Sequence, residues 1–146
     1  MIVVRPATVA DQKTIKAIIR AVQINPTDLK WQNFVLAVDQ DSGAIVGTAQ
    51  VKQHGDGSRE LASIATVPSH RQRGIARQLI SHLLAEHEGT LYLTCLDTME
   101  SFYEKFGFRS ITTTEMTPYF RRLMRIAGAL NFVSDEGRRL LVMQRG

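Results

Sequence analysis

The sequence predicts a single α/β domain, and three observations carry that reading. Stretches in which apolar residues recur every second position alternate along the chain with stretches in which they recur at 3.6-residue spacing. No internal repeat, low-complexity tract or linker separates them, so they belong to one layered unit. At 146 residues, 44% hydrophobic and 22% charged, the composition is ordinary for a globular chain. A chain of this length buries roughly 70% of its unfolded surface, enough for one real core. The expectation is one domain over residues 1–146, with a helical insertion at about 112–137 between the last two strands.

Ile2 to Arg5 reads as a short strand. Thr8 then offers a cap and Asp11 its capping partner for a helix carrying Ile15, Ile18, Ile19 and Val22. Asn25 before Pro26 is a second start signal and predicts a short helical turn through Leu29. Phe34 to Val38 and Ala44 to Val51 are β-rich runs joined by a polar segment ending in Gly43, where a hairpin needs positive φ. His54 to Ser58 makes another turn, and Glu60 to Val67 a third strand of the meander, closed by Pro68. The period then changes: Ile75, Ala76, Leu79, Ile80, Leu83 and Leu84 form a helical stripe that runs to Glu88 and stops at Gly89.

Leu91, Leu93 and Cys95 alternate as a strand, and Asp97 with Glu100 predicts a capped helix bearing Phe102, Tyr103 and Phe106. Gly107 breaks it and Phe108 to Ile111 resumes a strand. Thr117-Pro118 opens an amphipathic helix with Tyr119, Phe120, Leu123, Ile126, Ala127 and Leu130 on one side and Arg121, Arg122 and Arg125 on the other. Leu140 to Met143 is the final strand, giving the order β-α-β-β-β-α-β-α-β-α-β.

Several function classes lose ground on composition. The single Cys95 allows no intramolecular disulfide, the N-terminus lacks the pattern of a signal peptide, and no apolar run reaches the length of a membrane span. A cytoplasmic protein without membrane partners is expected. Net charge is +4, and residues 109–146 hold 7 arginines against 3 acids while the rest balances at 11 to 11. Specific nucleic-acid binding is not expected, because that basic end lacks lysine and any recognised binding motif. His54, His70, His82 and His87 form no metal-ligand spacing, so no metal is expected.

The segment from Glu60 to Arg77 carries the chemistry. A strand runs into a loop and the loop into a helix, whose first N–H groups lack internal partners and concentrate positive potential. Gly74 and Ala76 remove side-chain bulk there, and Arg71, Arg73 and Arg77 add charge, so a diphosphate is the expected ligand.

Here the sequence resembles the GNAT superfamily of N-acetyltransferases. Arg71-Gln72-Arg73-Gly74-Ile75-Ala76 fits that family's Q/R-x-x-G-x-G/A pyrophosphate loop, and Ser101 to Phe108 fits its later F-Y-x-K-x-G-F segment. The resemblance extends over residues 1–111 in element order and is clear at sequence level from about 60 to 109. It implies a mixed, mostly antiparallel sheet flanked by helices, the GNAT-like acyl-CoA acyltransferase fold. It also implies acetyl-CoA as cosubstrate and a primary amine as acceptor, attacking directly in a ternary complex.

The same resemblance implies roles for named residues. Ile64, Ala65, Thr66 and Val67 would pair with the pantetheine arm as an added strand. The amides of Gln72, Arg73, Gly74, Ile75 and Ala76 would cradle the pyrophosphate, and the N–H of Ile64 or Ala65 would hold the developing oxyanion. Tyr103 matches the tyrosine that protonates the departing thiolate in many members; its alternative is packing beside Phe102 and Phe106. Glu60, eleven residues before Arg71, lies where one branch of the family places a general base; its alternative is a solvent-facing strand end. The family's asparagine seven residues before the tyrosine is replaced by Leu96. Cys95, within an alternating strand, reads as core.

If Arg121, Arg122 and Arg125 line the acceptor side, they favour an acceptor bearing a carboxylate or phosphate. A non-catalytic acyl-CoA sensor or adaptor is the alternative function, and a homodimer stays open.

Overall fold

The computed structural model describes residues 1–129 and 137–146. Its seven strands form a mixed, mostly antiparallel sheet in the order β1-β2-β3-β4-β5-β7-β6, flanked by helices. The chain divides into two compact units, Met1–Lys52 with Leu61–Glu88, and Gln53–Glu60 with Gly89–Gly146.

In the first unit β1 (Ile2–Pro6) lies antiparallel to β2 (Phe34–Asp39), with Ile2 opposite Asp39 and Pro6 opposite Val35. β2 pairs antiparallel with β3 (Ile45–Gln53), and the turn between them closes with the Gly43 amide donating to Asp39 O at 2.7 Å. Gly43 has φ +75°, the conformation its position required. β4 (Arg59–Thr66) starts in the second unit and continues in the first.

A capping box of Thr8 and Asp11 opens a 3-10 turn at Val9–Asp11, and helix α1 (Gln12–Val22) continues from it. The Thr8 amide donates to Asp11 Oδ2 at 2.7 Å, and Arg5 grips both oxygens of the same carboxylate at 2.9 and 3.2 Å. That guanidinium hydrogen bond, aided by the Thr8 amide, lowers the Asp11 pKa to about 2. Ile15, Ile18 and Ile19 pack on Phe34, Leu36 and Ala65, each contributing about 1.5–3 kcal/mol by burial.

The expected helical turn after Asn25 does not form. Asn25 Oδ1 instead accepts from the Thr27 amide and hydroxyl at 3.0 and 2.8 Å, a side-chain turn that competes with helix, and a 3-10 turn appears later at Trp31–Asn33.

Helix α2 (Ile75–Glu86) buries Ile75, Leu79, Ile80 and Leu83. It approaches β3 at Gly47, where an added Cβ would lie 2.8 Å from Ile75 Cγ2 and 3.1 Å from Leu79 Cδ1. Only glycine allows that approach.

In the second unit β5 (Leu91–Leu96) pairs antiparallel with β7 (Leu140–Arg145), and β6 (Arg109–Ser110) lies on the other side of β7. The parallel ladder from β4 to β5 is the pair Glu60 and Tyr92. Helix α3 (Glu100–Glu104) follows a 3-10 turn at Asp97–Met99. The expected cap from Asp97 is not made, because that residue is itself the first of the 3-10 turn.

Helix α4 (Pro118–Ala129) seats Phe120 with Ile111, Met116 and Val142. Ile126, expected on the apolar side, is 51% exposed, since the buried stripe is carried by the first turns. Leu130, expected on the same side, lies outside the described residues. Among the described residues no helix is long and apolar enough to cross a membrane.

Candidate active site

The first unit holds the strand and loop singled out in the sequence. Ser63 in β4 adopts φ +56°, a left-handed residue inside a strand. Two buried side chains of β3 hold it: Thr48 Oγ1 donates to Ser63 O at 2.8 Å, and Gln50 Nε2 donates to Ser63 Oγ at 2.8 Å. Gln50 Nε2 also donates to the carbonyl of Asp28, another residue at positive φ. These residues escaped the sequence reading. Their signal was present as alternate polar positions, Thr48, Gln50 and Lys52, in an otherwise apolar strand.

After β4 the chain makes a 3-10 turn at Pro68–His70, fastened by His70. Its Nε2–H donates to Asp39 Oδ2 at 2.9 Å, and its Nδ1 accepts from Ser69 Oγ at 2.8 Å. Arg71 Nε donates back to Thr66 O at 3.3 Å, so its guanidinium helps close the loop. Gln72 and Gly74 then take φ +64° and +75°.

These left-handed residues turn the chain into α2 at an abrupt angle, and the first bond of that helix runs from the Gln78 amide to Gly74 O. The amides of Ile75, Ala76 and Arg77 precede that bond and are the partnerless donors of a helix start. Arg71, Gln72, Arg73, Gly74 and Arg77 are exposed, and a Cβ at Gly74 would meet no heavy atom within 4 Å. The head of α2 is an open cluster of donors suited to an anion.

The second unit holds Glu60 and Tyr103. Glu60 is not the solvent-facing strand end that its position beside Arg59 allowed. Its side chain is 8% exposed and accepts from His54 Nε2 at 2.7 Å. His54 stacks on Tyr119 with ring centroids 3.5 Å apart and planes 12° from parallel. The Tyr119 amide, at the head of α4, donates to Asp56 Oδ2 at 2.9 Å, while Asp56 Oδ1 accepts from the amide and hydroxyl of Ser58. These bonds, the Ser58 hydroxyl foremost, hold the Asp56 carboxyl well below the usual carboxylate range.

Tyr103 is buried, with its ring edge-on to Phe102 at 5.1 Å and to Phe108 at 6.3 Å. Burial, reinforced by neighbouring Cys95, pushes its pKa up to about 12, so the phenol is a proton donor at neutral pH. Cys95 Sγ donates to Met143 Sδ at 3.7 Å; burial and then Glu100 push the thiol up to about 11, which leaves it a packing group and not a nucleophile. Arg121, Arg122 and Arg125 of α4 are exposed, with Arg121 Nε reaching Thr113 O at 3.3 Å. Among the described residues no group of three or more His, Cys, Asp or Glu could hold a metal ion.

The residues named from the sequence thus fall into two sets. Ile64 to Val67 and Arg71 to Arg77 lie in the first unit, and Glu60 and Tyr103 lie in the second. A family model described as the acetyltransferase (GNAT) domain matches residues 30–110, more than half of the chain. The chain belongs to the GNAT acetyltransferase family.

Solved structures share this GNAT fold. N-acetylglutamate synthase from Neisseria gonorrhoeae, complexed with coenzyme A and N-acetyl-glutamate, is 20% identical over 99% of this chain and 35% of that one, with a TM-score of 0.75. The chain therefore spans about a third of that synthase. Rv2747 from Mycobacterium tuberculosis, also in complex with CoA, is 22% identical over 98% of both chains, with a TM-score of 0.71. Escherichia coli ElaA is 19% identical over the whole of both chains, with a TM-score of 0.71. At these identities the likeness concerns the fold. Among curated proteins no relative matches the sequence.

Proposed function

We propose that this GNAT domain transfers the acetyl group of acetyl-CoA to a primary amine that carries an anionic group. The observation that carries the reading is the exposed head of α2, where Gln72 and Gly74 at positive φ turn the chain and leave open space over the Gly74 Cα. The amides of Gln72 to Ala76 bind the pyrophosphate, with Arg71, Arg73 and Arg77 adding charge. The backbone of Ile64 to Val67 pairs with the pantetheine arm, and the Ile64 or Ala65 amide stabilises the oxyanion.

Glu60 accepts the proton of the acceptor ammonium, and the freed nitrogen attacks the thioester carbon. As the C–S bond breaks, the nitrogen loses its second proton to solvent, while Tyr103 gives its proton to the departing thiolate and regains one from solvent. The products are the N-acetylated amine and coenzyme A thiol, with one proton released. The exposed arginines of α4 support an anionic acceptor, as does the N-acetyl-glutamate bound to the gonococcal synthase.

Calorimetric titration with coenzyme A tests the binding half. A panel of L-glutamate, L-glutamine, a peptide amine and spermine with acetyl-CoA, followed by thiol release, tests the rest. Turnover of spermine equal to that of L-glutamate removes the anionic preference, and coenzyme A binding with no thiol release from any amine leaves the non-catalytic sensor.

A further inference from the structure

We propose that His54 is a positioning residue for Glu60, held in turn by Tyr119 and Asp56, so that the proton acceptor is set by a four-residue chain within the second unit. This deepens the reading of Glu60 as the base and rests on it. The geometry has three links.

The first is the carboxylate itself. Glu60 and His54 have side chains 8% and 7% exposed, and their contact at 2.7 Å is the side-chain hydrogen bond of Glu60 among the described residues. A carboxylate only accepts, so His54 contributes Nε2–H and occupies Oε1. Oε2 is left as the oxygen that takes the acceptor's proton.

The second link is the imidazole plane. A ring free to rotate would present Nε2 to Glu60 only part of the time. Tyr119 stacks on one face at 3.5 Å, and Phe120 meets the ring edge-on at 5.9 Å and 89°. His54 also belongs to the turn that leads back to Glu60, with its amide donating to Ser58 O at 2.9 Å.

The third link is Asp56, which ties the Tyr119 amide to that same turn at 2.9 Å and is itself fixed by two bonds from Ser58. The head of α4 and the turn that carries His54 therefore hold one another. An aromatic side chain on the helix that bears the exposed arginines sets the imidazole that orients the base.

The experiment compares wild type, His54→Leu, His54→Gln and Glu60→Gln with acetyl-CoA and the best acceptor of the amine panel. His54→Leu is expected to lower kcat about 100-fold, within the usual range for a lost acid–base contribution, with the acetyl-CoA KM changed less than twofold. His54→Gln, whose amide can donate from nearly the position of Nε2, is expected to recover to within about tenfold of wild type, which loss of a purely structural contact does not predict.

A His54→Leu kcat within threefold of wild type overturns the proposal, and so does a His54→Gln protein as slow as His54→Leu. Should His54→Leu fail to fold by circular dichroism, His54→Asn, too short to reach Oε1, takes its place under the same criteria. Wild-type kcat in Glu60→Gln means that the base reading itself is wrong. A dead Glu60→Gln beside an active His54→Leu means that only the positioning role is wrong. Independently of any acceptor, an imidazole 15N–1H spectrum should show His54 protonated at Nε2, and protonation at Nδ1 alone overturns the proposal.

Discussion

Gly74→Ala is expected to weaken coenzyme A binding far more than it weakens the fold. Gly74 has φ +75°, and a Cβ built there meets no heavy atom within 4 Å. The folded protein therefore bears no clash, only the strain of an L-residue in a left-handed conformation, about 1 kcal/mol, which lowers Tm by about 4 °C at this size. The new methyl group occupies the open side of the helix head, where the proposed pyrophosphate must come within hydrogen-bond distance of the amides. Losing one charge-assisted hydrogen bond there costs about 1.5–3 kcal/mol, which is about 10- to 100-fold in Kd.

Gly43 supplies a matched control, because it also has φ +75° with no atom within 4 Å of a built Cβ, yet lies in the turn between β2 and β3. Gly43→Ala should show the same loss of Tm and an unchanged Kd. Thermal melts and calorimetric titration with coenzyme A measure both quantities on each variant. The reasoning is refuted if Gly74→Ala binds coenzyme A as wild type does, or if Gly43→Ala loses as much affinity.

Three further outcomes follow from the perturbed groups. Asp11 titrates near 2 when folded against an ordinary 3.8, so its pair with Arg5 adds stability that is present above about pH 4 and lost as pH falls toward 2. Arg5 is 40% exposed, which holds the contribution to at most about 2 kcal/mol; urea unfolding at pH 7 and pH 3 should show a larger loss in wild type than in Asp11→Asn, where the loss from Asp56 remains. Tyr103, raised to about 12, stays protonated through pH 10, so kcat should show no downturn from this group between pH 7 and 10, and Tyr103→Phe should lower kcat about 100-fold with the coenzyme A Kd unchanged. A downturn near pH 9 in wild type that vanishes in Tyr103→Phe would remove that reading. Cys95, raised to about 11, should react with a disulfide reagent at pH 7.5 at least about tenfold more slowly in the native chain than in urea.

The parts legible in the sequence are those fixed by neighbours along the chain. Thr8 and Asp11 form the capping box as read, on the 3-10 turn that leads into α1, because it needs only three residues of reach. The turn from Arg71 to Ala76 into α2 was legible because a contiguous stretch with glycine at a left-handed position is enough to show it. Asn25-Pro26 misled, since the Asn25 side chain was captured by Thr27 two residues on, and propensity does not decide between two local hydrogen-bond patterns. The state of Glu60 was not legible at all. Its burial depends on His54 across a turn and on Tyr119, 59 residues further along the chain, and no periodicity relates them.

The backbone outliers of the first unit show why part of the structure cannot be read from the strand that carries it. Gln23 at φ +59° merely ends α1, a common use of the left-handed region. Asp28, Ser63 and Gln72 have no such local reason, and residues held this way cost about 1–3 kcal/mol each unless their surroundings fix them. Gln50, fully buried, fixes two of them with one amide nitrogen, donating to the Asp28 carbonyl and to the Ser63 hydroxyl. Thr48 adds a second restraint on Ser63 from the same face of β3. Replacing Gln50 by an apolar residue of similar volume would remove the side-chain bonds to both outliers at once, leaving Thr48 on Ser63. The strand that the proposed thioester must lie along is therefore shaped by a polar side chain on its neighbour, and a strand read alone carries no trace of it.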